Sequence, residues 1–83
     1  ISKEKCNETM DILSKDNKQQ TMNLLNNLYV ESTNLSLGNI EKAVSKLISL
    51  IVDNNDYKTS VEYEMLKEEL RTSYLALINS LGK

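Results

Sequence analysis

The sequence predicts an all-α protein, an antiparallel up-down four-helix bundle with a short first helix. The chain of 83 residues contains two glycines and no proline, so long stretches lack any residue that breaks a helix. Apolar residues in these stretches recur every three or four positions, as on the buried face of an amphipathic helix. Short polar connections favour antiparallel neighbours, and this length fits one domain, residues 1–83.

The first helix is predicted over residues 3–13 and the second over residues 17–33. Ser2 is the expected cap of the first helix, and Asp16 with Gln19 has the spacing of a capping box for the second. Because asparagines make the second helix intrinsically weak, we expect it to depend on tertiary packing. The apolar stripes are Cys6, Met10 and Leu13 in the first helix, and Met22, Leu25, Leu28 and Tyr29, with Leu24 at the edge, in the second.

The third helix, over residues 37–53, is predicted to be the central element. Ser36 is its expected N-cap, and Leu35 is placed to pack on Ile40 as a hydrophobic staple. Because its apolar face covers more than half of the helix, we expect other helices to surround it. This face comprises Leu37, Ile40, Ala43, Val44, Leu47, Ile48, Ile51 and Val52.

The fourth helix, over residues 60–81, is expected to follow a polar turn at residues 53–56. Thr59 and Glu62 have capping-box spacing, and Gly82 is placed to end the helix. Its apolar residues form a narrow, coiled-coil-like seam of Tyr63, Leu66, Leu70, Tyr74, Leu77 and Leu81. Such a seam can also serve self-association, so the sequence leaves a homodimer open.

The composition argues against an enzyme. There is no histidine, which is the commonest general base at neutral pH. We find no nucleophile–base pair, no phosphate-binding loop and no cofactor motif in the sequence. The formal net charge is −2, without a run of five like charges, which predicts no nucleic-acid binding. Apolar runs such as Leu50–Val52 are far too short to span a membrane.

Two groups of oxygen-bearing side chains partly match known metal sites, but neither has the full set of ligands. Asp53, Asn55 and Glu64 match three positions of a calcium-binding EF-hand loop. However, Tyr57 replaces an oxygen ligand and Lys58 replaces the required glycine. The second group faces away from the apolar seam and lacks the histidine typical of bundle metal sites; it comprises Glu62, Glu64, Glu68 and Glu69. We therefore expect no bound metal.

Cys6 is the one cysteine, so no intrachain disulfide can form and we expect a cytoplasmic protein. Its place on an apolar face predicts a buried thiol, whereas the nearby Lys3 and Lys5 would favour a reactive one. Nine lysines, one arginine and ten asparagines indicate an A/T-rich genome, such as that of a low-GC bacterium or its phage. Because the sequence begins with Ile1, we expect a fragment or a chain that has lost a leader.

Four side chains are expected to be exposed and to form a partner surface: Val30, Tyr57, Val61 and Leu75. The remaining tyrosines, Tyr29, Tyr63 and Tyr74, are expected to pack in the core. Our leading hypothesis is therefore a non-enzymatic protein that acts through protein–protein interaction. It would present a helix face or a groove to a protein partner that the sequence does not identify.

The length, helix order and composition resemble those of immunity proteins against pediocin-like bacteriocins, which are small antiparallel four-helix bundles from low-GC bacteria. The long last helix after a polar turn also fits. This resemblance is architectural and implies a small inhibitor or immunity-type protein. The recognition tail that follows the last helix in that family has no counterpart within these 83 residues.

Ser36 followed by Leu37 at a predicted helix start is similar to the Asp-Ser-Leu site of acyl carrier proteins. That similarity would make Ser36 the attachment point of a phosphopantetheine group. The chain departs from the carrier pattern because Leu35 stands where the aspartate is expected. Lys42 and Lys46 also occupy a helix that is usually acidic in carriers. An N-cap serine is therefore the simpler interpretation of Ser36.

Overall fold

The computed structural model describes residues 3–15 and 17–81. Within this part of the chain there are four α-helices and no strand. The helices are α1 (Lys3–Ser14), α2 (Lys18–Asn34), α3 (Gly38–Asp53) and α4 (Val61–Leu81), and a short 3-10 turn, Tyr57–Thr59, precedes α4. The helix boundaries lie within one residue of the predicted ranges, whereas the 3-10 turn was not predicted.

The helices pack in sequence order around a common core. α2 packs against α3, α3 against α4, and α4 against α1, while α1 also contacts α2 and so closes the ring. The protein measures 40 × 21 × 20 Å, which is roughly one long helix by two helix diameters. With 12 residues α1 is the shortest helix, and α4 with 21 is the longest. The predicted four-helix bundle is therefore confirmed.

The core is centred on α3, which makes extensive contacts with both α2 and α4. Most of its predicted apolar face is buried, namely Ile40, Ala43, Val44, Leu47 and Ile51. The prediction is wrong for Val52, whose side chain is 64% exposed. Each helix of a four-helix bundle has two close neighbours rather than three. The apolar arc of α3 is consequently wider than the surface that these neighbours cover.

The seam of α4 lies where the sequence predicts it. Tyr63, Leu70 and Tyr74 are buried, Leu66 and Leu77 are partly buried, and the side chain of Leu81 lies outside the described residues. The hydroxyl of Tyr63 donates a buried hydrogen bond of 2.8 Å to the backbone carbonyl of Leu13 in α1. Helix α4 therefore holds the shortest helix of the bundle by a directed bond as well as by apolar packing.

The buried face of α2 is rotated from the predicted stripe. Its buried residues are Thr21, Leu24, Leu25, Leu28 and Ser32, whereas Met22 is partly buried and Tyr29 is 40% exposed. Placing Tyr29 in the core was therefore wrong. The hydroxyl of Ser32 donates to the carbonyl of Tyr29 at 3.0 Å, so this small polar residue is buried with its hydrogen bond satisfied.

The helix caps differ from the predicted ones by one residue. Asn17 caps α2, because its Oδ1 accepts from the N–H of Gln20 at 3.0 Å. Ser60 rather than Thr59 caps α4, because its Oγ accepts from the N–H of Tyr63 at 3.1 Å. Both caps are three residues before the amide that they bind, as N-caps require. The predicted caps Ser2, Asp16 and Gly82 lie outside the described residues.

Ser36 ends α2 and does not cap α3. Its φ is 58°, in the left-handed region, and its N–H donates to the carbonyl of Thr33 at 3.2 Å. The N–H of Leu37 donates to the carbonyl of Ser32 at 2.8 Å, which completes a Schellman motif. Leu37 then takes the N-cap position of α3. The predicted staple is also wrong, since Leu35 is exposed.

Leu47 lies fully buried in the middle of α3, so Leu47→Ala should lower the free energy of unfolding by about 2–5 kcal/mol. Ser49→Ala on the exposed side of the same helix is the control, with an expected change below about 0.5 kcal/mol. Chemical denaturation followed by circular dichroism measures both. A loss for Leu47→Ala as small as that of the control would show that α3 is not central.

Candidate functional site

Three of the four residues predicted for a partner surface are exposed: Val30 on α2, and Val61 and Leu75 on α4. They do not form one patch. Val61 and Leu75 lie about 21 Å apart along α4, because a helix rises about 1.5 Å per residue. α2 is not a principal neighbour of α4 in the bundle. That these residues contact a partner stays a prediction. They are separate exposed positions and do not form a continuous surface.

Tyr57, the fourth predicted surface residue, is buried and only 3% exposed. Its 3-10 turn folds the ring back onto Tyr63, with the ring centroids 5.0 Å apart and the planes at 73°. This edge-to-face arrangement is the favourable one for two aromatic rings. The expectation of an exposed Tyr57 was wrong because a polar turn with no helical period gives no sign of where its side chains point.

An open groove with a volume of about 630 Å³ lies between α3 and α4. Its apolar floor is formed by Leu50 of α3 and by Met65 and Leu66 of α4. Leu50 and Leu66 are partly buried against the core, and Met65 is 65% exposed. We call this feature the α3/α4 groove. Its remaining lining residues are Ser45, Lys46, Ser49, Asp53, Glu62 and Glu69.

The charged side chains of the α3/α4 groove are mainly acidic. Lys46 lies 3.9 Å from Glu69 across the groove, and both side chains are about half exposed, so this pair contributes little to stability. Asp53 and Glu62 have no cation within 4.0 Å in the described part of the chain. The groove therefore combines an apolar floor with a net negative rim.

A smaller groove of about 270 Å³ runs on the other side of α3, between α2 and α3. Tyr29, predicted for the core, lies beside it with Asn26 and Ile48. Ser45 and Ser49 border both grooves, so they form the ridge between them. Neither groove was predicted from the sequence. A sequence feature that indicated an apolar surface on α4 was Met65, which lies one turn after Val61 and outside the α4 seam.

The thiol of Cys6 is buried, as its place on the apolar face of α1 predicts. Burial raises its pKa, and the charge of Arg71 opposes this only in part. The thiolate is the reactive form, so the higher pKa together with restricted access makes Cys6 a poor nucleophile. Ser36 is exposed in its left-handed turn, two residues before α3 begins.

Two further acidic residues of α4, Glu64 and Glu68, form surface ion pairs. Glu64 lies 3.0 Å from Lys67, and Glu68 lies 3.9 Å from Arg71, each one helical turn along. No group of three or more potential metal-ligating side chains occurs among the described residues. No helix in residues 3–15 or 17–81 is both long and apolar enough to cross a membrane.

Comparisons of the chain with protein-family models, with curated proteins and with solved structures found no match. The candidate site therefore rests on the geometry and charge of the α3/α4 groove alone.

The folded protein should lose stability at alkaline pH. Burial raises the pKa of Tyr63 and of Tyr74 to about 12 from the ordinary value of 10.0. The folded state thus keeps two protons that the unfolded chain releases above pH 10. The stability that the two raised pKa values contribute is complete below pH 10 and is lost as the pH rises towards 12.

Circular dichroism and phenolate absorbance, recorded together, measure this effect. We expect Tyr63 and Tyr74 to ionise only as the helices melt. If all tyrosines ionise near pH 10 while the helical signal persists, the burial of Tyr63 and Tyr74 is contradicted.

Proposed function

We propose that the protein is a non-enzymatic binding module that acts through protein–protein interaction. The observation that supports this proposal is the α3/α4 groove, where an exposed methionine and two partly buried leucines line an open channel between two helices. Such channels recur where one protein binds an amphipathic helix of another. The single thiol of the chain is buried, which agrees with binding rather than covalent chemistry.

An immunity-type inhibitor is a second candidate within the same class. The antiparallel bundle and the 21-residue last helix after a polar turn favour it, because the resemblance noted above rests on these features. Fold alone does not establish function, so this candidate needs a functional assay. A bacteriocin-sensitive strain that expresses the protein should then survive exposure to the bacteriocin, and unchanged killing would exclude it.

Photo-crosslinking in cells of the source organism tests the binding function directly. A benzophenone amino acid placed at Ser49, beside both grooves, should give one discrete adduct with a cellular protein. The same group at the exposed Glu8 of α1 is the control and should not give that adduct.

The protein found in the adduct should then bind the purified bundle at a fixed stoichiometry. Absence of a discrete adduct, or identical adducts from both positions, would contradict the proposed function.

A further inference from the structure

We propose that the α3/α4 groove binds a cationic amphipathic helix of the partner protein. This inference rests on the proposed function and deepens it by giving the chemistry of the partner. An apolar floor between two charged rims matches the cross-section of an amphipathic helix, whose apolar stripe is flanked by polar residues.

The shape of the α3/α4 groove suits a helix rather than a small molecule. It is open to the surface, and its floor side chains come from two adjacent helices, α3 and α4. Ser45 and Ser49 provide small side chains on the α3 border, where a bulky residue would hold an approaching backbone away. Met65 is unbranched and flexible, so it can adapt to the apolar residues of a partner.

The charge of the groove decides the sign of the partner. Asp53, Glu62 and Glu69 oppose the single Lys46. Asp53 lies at the C-terminal end of α3, whose last turn contains no basic residue. The unpaired carbonyls there already carry partial negative charge, so a carboxylate at this end is unfavourable for the isolated helix. A lysine or arginine of a partner would interact favourably with both the carboxylate of Asp53 and the carbonyls at the end of α3.

The same charges disfavour a second copy of this chain as the occupant. A symmetric dimer built on this groove would bring together two surfaces that each carry a net negative charge. Like charges placed opposite each other across an interface reduce binding. The groove is therefore complementary to a basic segment and poorly complementary to itself.

The experiment uses a fluorescent synthetic peptide of about 18 residues, long enough to form a helix on binding, with leucines at helical spacing and lysines elsewhere. A matched peptide has glutamate in place of every lysine. Fluorescence anisotropy measures affinity, and amide chemical shifts of the labelled protein locate the contact. We expect the lysine peptide to bind at least about tenfold more tightly and to shift signals around Leu50 and Met65.

Charge reversal on the protein provides the matched control. Asp53→Lys with Glu62→Lys reverses the two groove carboxylates that are not paired with Lys46 and should weaken binding of the lysine peptide by about tenfold or more. Glu64→Lys with Glu68→Lys makes the same change in net charge, also involves α4, and lies outside the groove. This second variant should change the affinity by less than about threefold. Equal weakening by both variants would reveal general attraction and would overturn the proposal.

The floor of the groove is tested separately. Met65→Ser changes an exposed side chain, so the fold should persist while the affinity for the lysine peptide falls about fivefold or more. Val30→Ser, at an exposed valine of α2 outside the groove, should leave the affinity unchanged. Binding that is insensitive to Met65→Ser would contradict docking in the groove.

Two further outcomes would overturn the inference. One is preferential binding of the glutamate peptide. The other is self-association of the protein alone that buries Leu50 and Met65, seen by light scattering and chemical shifts, which would make a second copy the occupant. If photo-crosslinking at Ser49 identifies a partner and the lysine peptide does not bind the groove, the binding function stands and this inference fails.

Discussion

A hydrogen bond from the hydroxyl of Tyr63 to the carbonyl of Leu13 joins the last helix to the first, across 50 residues of sequence, and closes the bundle. α1 is short and cannot form a stable helix alone. Its last turn leaves carbonyls without helical partners, and Tyr63 satisfies one of them in the core. Tyr57 stacks edge-on against Tyr63, and Lys67 lies 4.9 Å from the ring centroid of Tyr63. The position of α1 therefore depends on the first turn of α4.

The surface grooves are a consequence of the bundle geometry. α3 has an apolar arc too wide for its two principal neighbours, α2 and α4, to cover. Residues in the middle of that arc are buried in the core, and those at its edges are only partly buried. Ile48 lines the α2/α3 groove, and Leu50 lines the α3/α4 groove. The residues that stabilise α3 thus also provide the apolar floor on which we base the proposed binding function.

The helices and the α4 seam could be predicted because they depend on periodicity, which the sequence displays directly. Side chains in irregular segments could not. Tyr57 is buried because of a 3-10 turn that has no apolar period, and Ser36 takes a left-handed conformation usually occupied by glycine. Tyr29 was misplaced because the buried face of α2 includes Thr21 and Ser32, which apolar patterns do not count. The α3/α4 groove depends on the packing of two helices and has no motif in either one.

Amide hydrogen exchange of a Tyr63→Phe variant tests the closing interaction most directly. The variant keeps the ring and removes the bond to Leu13. We predict that amides of α1 exchange faster, while those in the middle of α3, around Leu47, stay protected. This result would show that α4 holds α1 in place while the α3/α4 groove persists. Unchanged protection of α1, or an equal loss of protection in α3, would contradict the account.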